Sequence, residues 1–291
     1  MNRTSYKVKA NSDVQTAVFS CPGLTLCRFR CPTDHERWRR ENLIQDGHNI
    51  AFSEVPVEIR HAGQPAILAN PTVALYYNHG DPFQRRPLHP VGDSGNIFLF
   101  DTQTLLQALT PHEPGANPDR PLSIRVGPVA SGTYFKQRML LATVERRPDE
   151  DPDWVLEQAL EILQEVLASG YGSQGCRSSL GRRSRERVEA VKDRLALDWH
   201  EPLSLAQLAA EVETSVFHLC RSFKRCTGVT VNTYRQFLRL RAGLVQLERP
   251  ETSLAALALD LGFSHQSHFT EAFRRTFGAP PGKIRKALRS P

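Results

Sequence analysis

His265 and His268 stand three residues apart in LGFSHQSHFTEAFRRTFG, residues 261–278. On a helix that spacing brings two imidazoles within reach of one atom, so metal binding is the first chemistry to weigh. Metal sites need three or four ligands, and no third is spaced nearby. The pair therefore reads as His265 capping a helix or packing near the turn and His268 donating to a phosphate. A second set, Cys21, Cys27, Cys31 and His35, could sense soft metals or oxidants through its thiolates. Cysteine is also an ordinary small strand residue, and that plainer reading is preferred. Arg85 and Arg86 could hold a carboxylate effector, though a solvated turn explains them as well. The sequence has neither a Gly-rich phosphate loop nor a Gly-x-Ser-x-Gly elbow, so no catalytic, cofactor or metal residue is assigned and the chain does not read as an enzyme.

The strongest signal is a face repeated along the chain. Leu219, Ser222, Phe223, Lys224, Arg225 and Gly228 are matched fifty positions later by Phe269, Ala272, Phe273, Arg274, Arg275 and Gly278. Leu208 and Ala209 are matched forty-nine later by Leu257 and Ala258. Each unit reads as a short helix, a tight turn and a longer helix opening at Ser215 or near Ser264, which is the helix-turn-helix pattern. At about 100° per residue Leu219, Phe223 and Cys226 turn inward, and Phe217, Arg221 and Lys224 turn outward between His218 and Arg225. In the second unit Phe269, Ala272 and Phe273 turn inward. Ser267, Glu271 and Arg274 turn outward, with His268 and Arg275 on the flanks. Such faces suit a major groove, the first turns meeting base edges and the later cations meeting phosphate. Phe217, Cys220 and Arg221 are the base-facing candidates of one unit, and Gln266, Ser267 and Thr270 those of the other. With Ser215, His218, Lys224, Arg225, His265, His268, Arg274 and Arg275 they form the expected DNA-contacting set. The plain alternative for any one of these cations is a solvated helix face. Joined by NTYRQFLRLRAGLVQLE, the two units would reach successive grooves about 34 Å apart.

Charge agrees with this placement. Residues 177–291 carry 20 Lys or Arg against 11 Asp or Glu, and residues 1–176 carry 17 against 20. A basic half suits an acidic partner, nucleic acid first and an anionic membrane surface second. No apolar run approaches the roughly 20 residues of a membrane span, and no signal peptide is visible, so a soluble cytoplasmic protein is expected.

Upstream, LTLCRFRC, NIAFSEVPVEIRH, AILANPTVALYYNH and GNIFLFD mix β-branched and aromatic residues between turn formers, which predicts an antiparallel barrel or jelly roll over residues 1–150. The Pro-rich stretch 110–121 is a loop that closes it. Residues 151–169 follow as a helix with Leu156, Leu160, Leu163 and Leu167 at helical spacing and Val155, Ala159, Ile162 and Val166 beside them, Gly170 marking its stop. That wide apolar face suits the β-domain on one side and a second copy of the chain in a homodimer on the other; the plain alternative is a helix packed only on its own domain. Residues 170–185, rich in Gly, Ser and Arg, read as a flexible linker before the helical domain 186–291.

The segment from Leu203 to Arg285 resembles, over roughly 80 residues, the DNA-binding domain of the AraC/XylS family of transcription regulators. GFSHQSHFTEAFRRTFGAPPGKIR is its most specific part. The resemblance implies a seven-helix domain on double-stranded DNA and an activator that touches RNA polymerase. Three residues depart from the pattern: Glu213 where the first turn commonly has Gly, Glu271 where an Arg often faces DNA, and Ile284 for a frequent Tyr. More weakly, residues 74–100 resemble the cupin-like sensor half of the same family, in which an effector shifts how the DNA-binding halves are held. A thiol- or metal-responsive regulator is the alternative. A cupin enzyme with a DNA-binding appendage is less favoured, because His48, His61, His79 and His89 lie apart and lack the His-x-His pair with a downstream Glu.

Overall fold

The computed structural model describes residues 12–45, 47–178, 181–248 and 253–289. Its contacts divide the chain into two units, residues 1–171 and 172–290.

The first unit is built on two antiparallel sheets. Strands β1 (Gln15–Cys21) and β2 (Leu24–Cys31) form a hairpin whose turn uses Gly23 at φ 86°. There follow β3 (Asn42–Leu43), β4 (His48–Ser53), β5 (Val57–Arg60), β6 (Ile67–Ala69), β7 (Val73–Tyr77), β8 (Pro82–Pro87), β9 (Asp93–Phe100) and β10 (Val126–Pro128). One sheet runs β1-β2-β9-β4-β7-β10 and the other β3-β8-β5-β6. Apolar side chains from both, including Val57, Ile59, Leu75, Tyr77 and Phe83, meet in one core. The alternating runs of the sequence thus became strands, but the expected barrel did not close. Both sheets are open, and three of their four edge strands are short: β3 has two residues, β6 has three, and β10 has three and ends in a proline that lacks an N–H, while the fourth, β1, has seven.

Two helices went unread in the sequence, α1 (Thr102–Leu109) and α2 (Ser131–Arg146). Asp101 caps α1 by accepting from the Thr104 N–H at 2.8 Å. In α2, Thr133, Gln137 and Arg138 are buried beside Tyr134, Leu140, Leu141 and Val144, so its inward face carries no clean apolar period.

Helix α3 runs from Pro152 to Ser178 and corrects the expectation of a stop at Gly170 followed by a flexible linker. Gly170 lies inside the helix because two elements approach closely there. A Cβ on it would lie 2.6 Å from Ile124 Cδ1 and 3.0 Å from the Tyr76 hydroxyl, which donates to the Val166 carbonyl at 2.8 Å. One residue on, the Tyr171 hydroxyl bonds Glu113 at 2.6 Å and its ring stacks on His112. The helix buries Val155, Ala159, Ile162, Leu163, Val166 and Leu167, and leaves Leu156 and Leu160 half-buried.

The second unit is helical: α4 (Arg182–Leu197), α5 (Leu205–Glu211), α6 (Val216–Thr227), α7 (Val231–Gln246), α8 (Leu254–Asp260), α9 (Gln266–Phe277) and α10 (Pro281–Arg289). Leu208, Leu219, Phe223, Leu238, Leu257, Phe269 and Phe273 are among its buried side chains, and Ile284 is buried where the family pattern has Tyr. Among the described residues no helix of either unit is long and apolar enough to cross a membrane.

Candidate nucleic-acid interface

Helices α6 and α9 are each the second helix of a helix-turn-helix, and the turns before them are made by the same device. Glu213 takes φ 51°, and Gly262, its equivalent forty-nine residues later, takes φ 73°. Left-handed backbone costs a residue with a Cβ about 1–2 kcal/mol, so the departure at Glu213 keeps the tight turn and carries strain. Each turn carbonyl is held by an arginine: Arg187 of α4 donates to Glu213 at 2.6 Å, and Arg239 of α7 donates to Gly262 at 3.0 Å. The reader helices also end alike, at Gly228 and Gly278 in the left-handed region, fifty residues apart.

They start differently. Ser215 caps α6, its hydroxyl accepting from the His218 N–H at 3.2 Å. On α9 the cap is His265 rather than the neighbouring Ser264: its Nδ1 accepts from the His268 N–H at 3.1 Å. The His268 ring meets Phe263 edge-on and lies 3.3 Å from Ser264 Oγ through Nδ1. One histidine is therefore a cap and the other is fixed locally. Among the described residues no group of three or more His, Cys, Asp or Glu is placed to hold a metal.

The exposed faces follow the helical wheel. Leu219 and Phe223 are buried on α6, and Phe269, Ala272, Phe273 and Phe277 on α9. Ser215, Phe217, His218, Arg221, Lys224 and Arg225 are exposed in one unit, as are His265, Gln266, Ser267, His268, Arg274 and Arg275 in the other. Phe217 leaves 69% of its surface in water, an unusual cost for an aromatic with nothing to cover it. Cys220 and Thr270, equivalent positions, are only half-exposed and sit at the edge of the face. Glu271, absent from the expected contact set, lies on the exposed face and is clasped by Arg274.

The sheet unit holds a cavity of about 320 Å³. Tyr77, Phe83, Val57 and Ile59 give it an apolar wall, while Asn49, Arg85 and Asp93 give it polar groups. The Arg85–Arg86 pair is split across strand β8 rather than lying in a turn. Arg85 points inward, bonds Asp93 at 3.0 Å and lies over the Phe29 ring at 4.5 Å. Arg86 is exposed and bonds Glu58. Arg85 Nε and Asn49 Oδ1 are buried without a hydrogen-bond partner among the described residues. Burial holds the Asp93 carboxyl above its usual range against the opposing pull of Arg85.

The cysteine set does not assemble. Cys27 packs with Leu99, Ala17 and Ile97, and Cys31 with Val14 and Phe29. Their four-residue separation along a strand amounts to roughly 13 Å. Burial pushes the Cys21 and Cys31 thiols up, away from reactive thiolate. His35 is engaged with Asp13 at 2.8 Å.

A helix-turn-helix domain family matches residues 208–287. The HTH-type transcriptional activator RhaS of Yersinia pestis bv. Antiqua (strain Angola) is 26% identical over 159 residues, 54% of this chain and 58% of the relative. The chain thus spans little more than half the length of that relative. The Msm operon regulatory protein of Streptococcus mutans is 27% identical over 103 residues, 35% of this chain and 37% of the relative. Among solved structures, an AraC-type transcriptional regulator from Chromobacterium violaceum aligns at TM-score 0.35 with 27% identity, over 38% of this chain and 99% of the other. ToxT of Vibrio cholerae aligns at TM-score 0.35 with 12% identity, over 98% of this chain and 99% of the other.

Proposed function

We propose, from the premise that the carboxyl-terminal half of this chain belongs to the AraC family of helix-turn-helix domains, that the protein binds specific double-stranded DNA and regulates transcription, as an activator. The observation that carries this reading is the duplicated exposed face: α6 and α9 present polar and cationic side chains at matching positions, each fixed by a turn held to an arginine of a neighbouring helix. Helix α7, 16 residues and about 24 Å long, separates the two readers. Each reader would enter a major groove with its first turn on base edges. Arg221 would donate two hydrogen bonds to a guanine, and Phe217 would cover a thymine methyl. Lys224, Arg225 and Arg275 would meet phosphate, which makes affinity fall steeply with salt.

In the same reading the sheet unit senses a small effector in the cavity beside Arg85, whose unpartnered Nε and the Asn49 carbonyl are the groups a ligand would satisfy. Leu156 and Leu160 of α3 supply an apolar strip for a second copy of the chain, and RNA polymerase is the further partner. The test is to mix the intact protein with sheared bacterial genomic DNA and sequence what is retained across a salt series. Enrichment of a site with two boxes one helical turn apart, lost as salt rises, is the expected result. Retention without sequence preference at every salt concentration would overturn it.

A further inference from the structure

We propose that Glu271 and Arg274 act as one base-reading pair, Glu271 accepting from a cytosine amino group while Arg274 donates to the edge of a neighbouring guanine. The inference rests on the reading of α9 as a major-groove helix and assigns a specificity to it.

Position is the first argument. The fifty-residue repeat puts Glu271 where the first unit has Arg221 and Arg274 where it has Lys224. Both side chains are 58% exposed, opposite the face that buries Phe269, Ala272 and Phe273. Geometry is the second. Arg274 donates to the Glu271 carboxylate through Nε at 3.2 Å and through Nη2 at 3.0 and 2.9 Å, so the two groups move as a unit. Nη1 is left available for a base. An exposed pair three residues apart adds only a few tenths of a kcal/mol to a helix, so stability does not account for it.

Electrostatics supplies the third argument. Between two phosphate strands a carboxylate is repelled unless a base donates to it. In the major groove the donors are the cytosine N4 and adenine N6 amino groups. Adenine sets its N7 acceptor beside that amino group, where it opposes a carboxylate that has only acceptors to offer. Cytosine has no such neighbour, and its partner guanine presents O6 and N7 for an arginine. A carboxylate held beside a guanidinium is thus the complement of a C·G pair.

The test is selection from randomised duplexes with the intact chain and its Glu271→Gln variant, reading the base preference at every position. A glutamine amide both donates and accepts, as adenine N6 and N7 require. The expected result is cytosine at one position of the second box in the native protein, replaced by adenine in Glu271→Gln, with a roughly 5- to 150-fold change in relative preference there. The same preferences in both proteins would overturn the pair while leaving DNA recognition standing. No enriched sequence with either would overturn the DNA reading itself, and the pair with it.

Discussion

In the sheet unit Arg138 is fully buried against Glu54 at 2.5 Å, Asp81 is sealed beneath Arg120 and Arg125, and Arg85 lies over aromatic rings with Asp93 beside it. Burial, with His79 beside His48 and Arg125 beside His61, holds both imidazoles below their usual range. In the helical unit Arg221, Lys224, Arg225, Arg274 and Arg275 are exposed on α6 and α9, whose buried side chains are all apolar, although Arg241 of α7 is buried. Buried charge needs a partner chosen by the fold, so the sheet unit is specified by pairs distant in sequence. Exposed charge does not depend on a partner chosen by the fold, and in the helical unit even the Arg274–Glu271 pair lies at the surface.

That contrast breaks most sharply at Arg138. Replacing it with methionine leaves the Glu54 carboxylate with Arg28 at 3.7 Å and a hydrogen bond from Ser94 but without its close cation, and should cost about 3–5 kcal/mol in urea unfolding. A cost below 1 kcal/mol would mean that the pair is not buried in solution. Arg221→Ala is the opposite experiment. It should leave unfolding unchanged and weaken specific binding by about 1–3 kcal/mol more than non-specific binding in a competition titration; equal losses on both kinds of DNA would reassign Arg221 to phosphate. Glu213→Gly relieves left-handed strain and should stabilise the chain by about 1 kcal/mol, read as a raised melting temperature. An unchanged or lower value would remove strain from the turn.

The smallest effect concerns Asp193 of α4, whose side chain is exposed but whose carboxyl is pushed up to about 6 by the protein packed around it, then by Glu189, with Lys192 opposing. A raised acid favours the folded state while protonated, and that contribution is lost as pH rises from the ordinary carboxylate range through about 6. Asp193→Asn should therefore match the native protein near pH 4 and exceed it at pH 8. Parallel stability curves for the two proteins would mean that the Asp193 carboxyl titrates as an ordinary surface acid.

The same contrast explains what could be read in advance. The helical unit was legible down to the cap at Ser215, because its inner faces follow one period and its plan is written twice. The strands β2, β4, β7 and β9 were legible from their β-branched and aromatic runs. Helix α2 was not, since Arg138 and Gln137 occupy inward positions where they pair with the distant Glu54 and Asn96. Nor was the course of α3, since Gly170 punctuates a sequence but here admits the Tyr76 hydroxyl. In the candidate interface the wheel placed the outward cations correctly. It also turned Glu271 outward, where it is exposed, whereas Cys220 and Thr270, named as base-facing candidates, are only half-exposed at the edge of the face.

The arginine that holds each turn has a consequence for how the helical unit can be cut. Helices α4, α7 and α10 stand like fence posts, with α5–α6 and α8–α9 as the panels between them. α10 begins at Pro281, fifty residues after Val231 opens α7. Two panels need three posts, so α7 belongs to both spans and cannot be discarded with either. A chain shortened by residues 231–280 would set α10 against α6 in the place of α7 and remain a closed fence of one panel. The same length removed out of step with the repeat would leave a panel hanging from a single post.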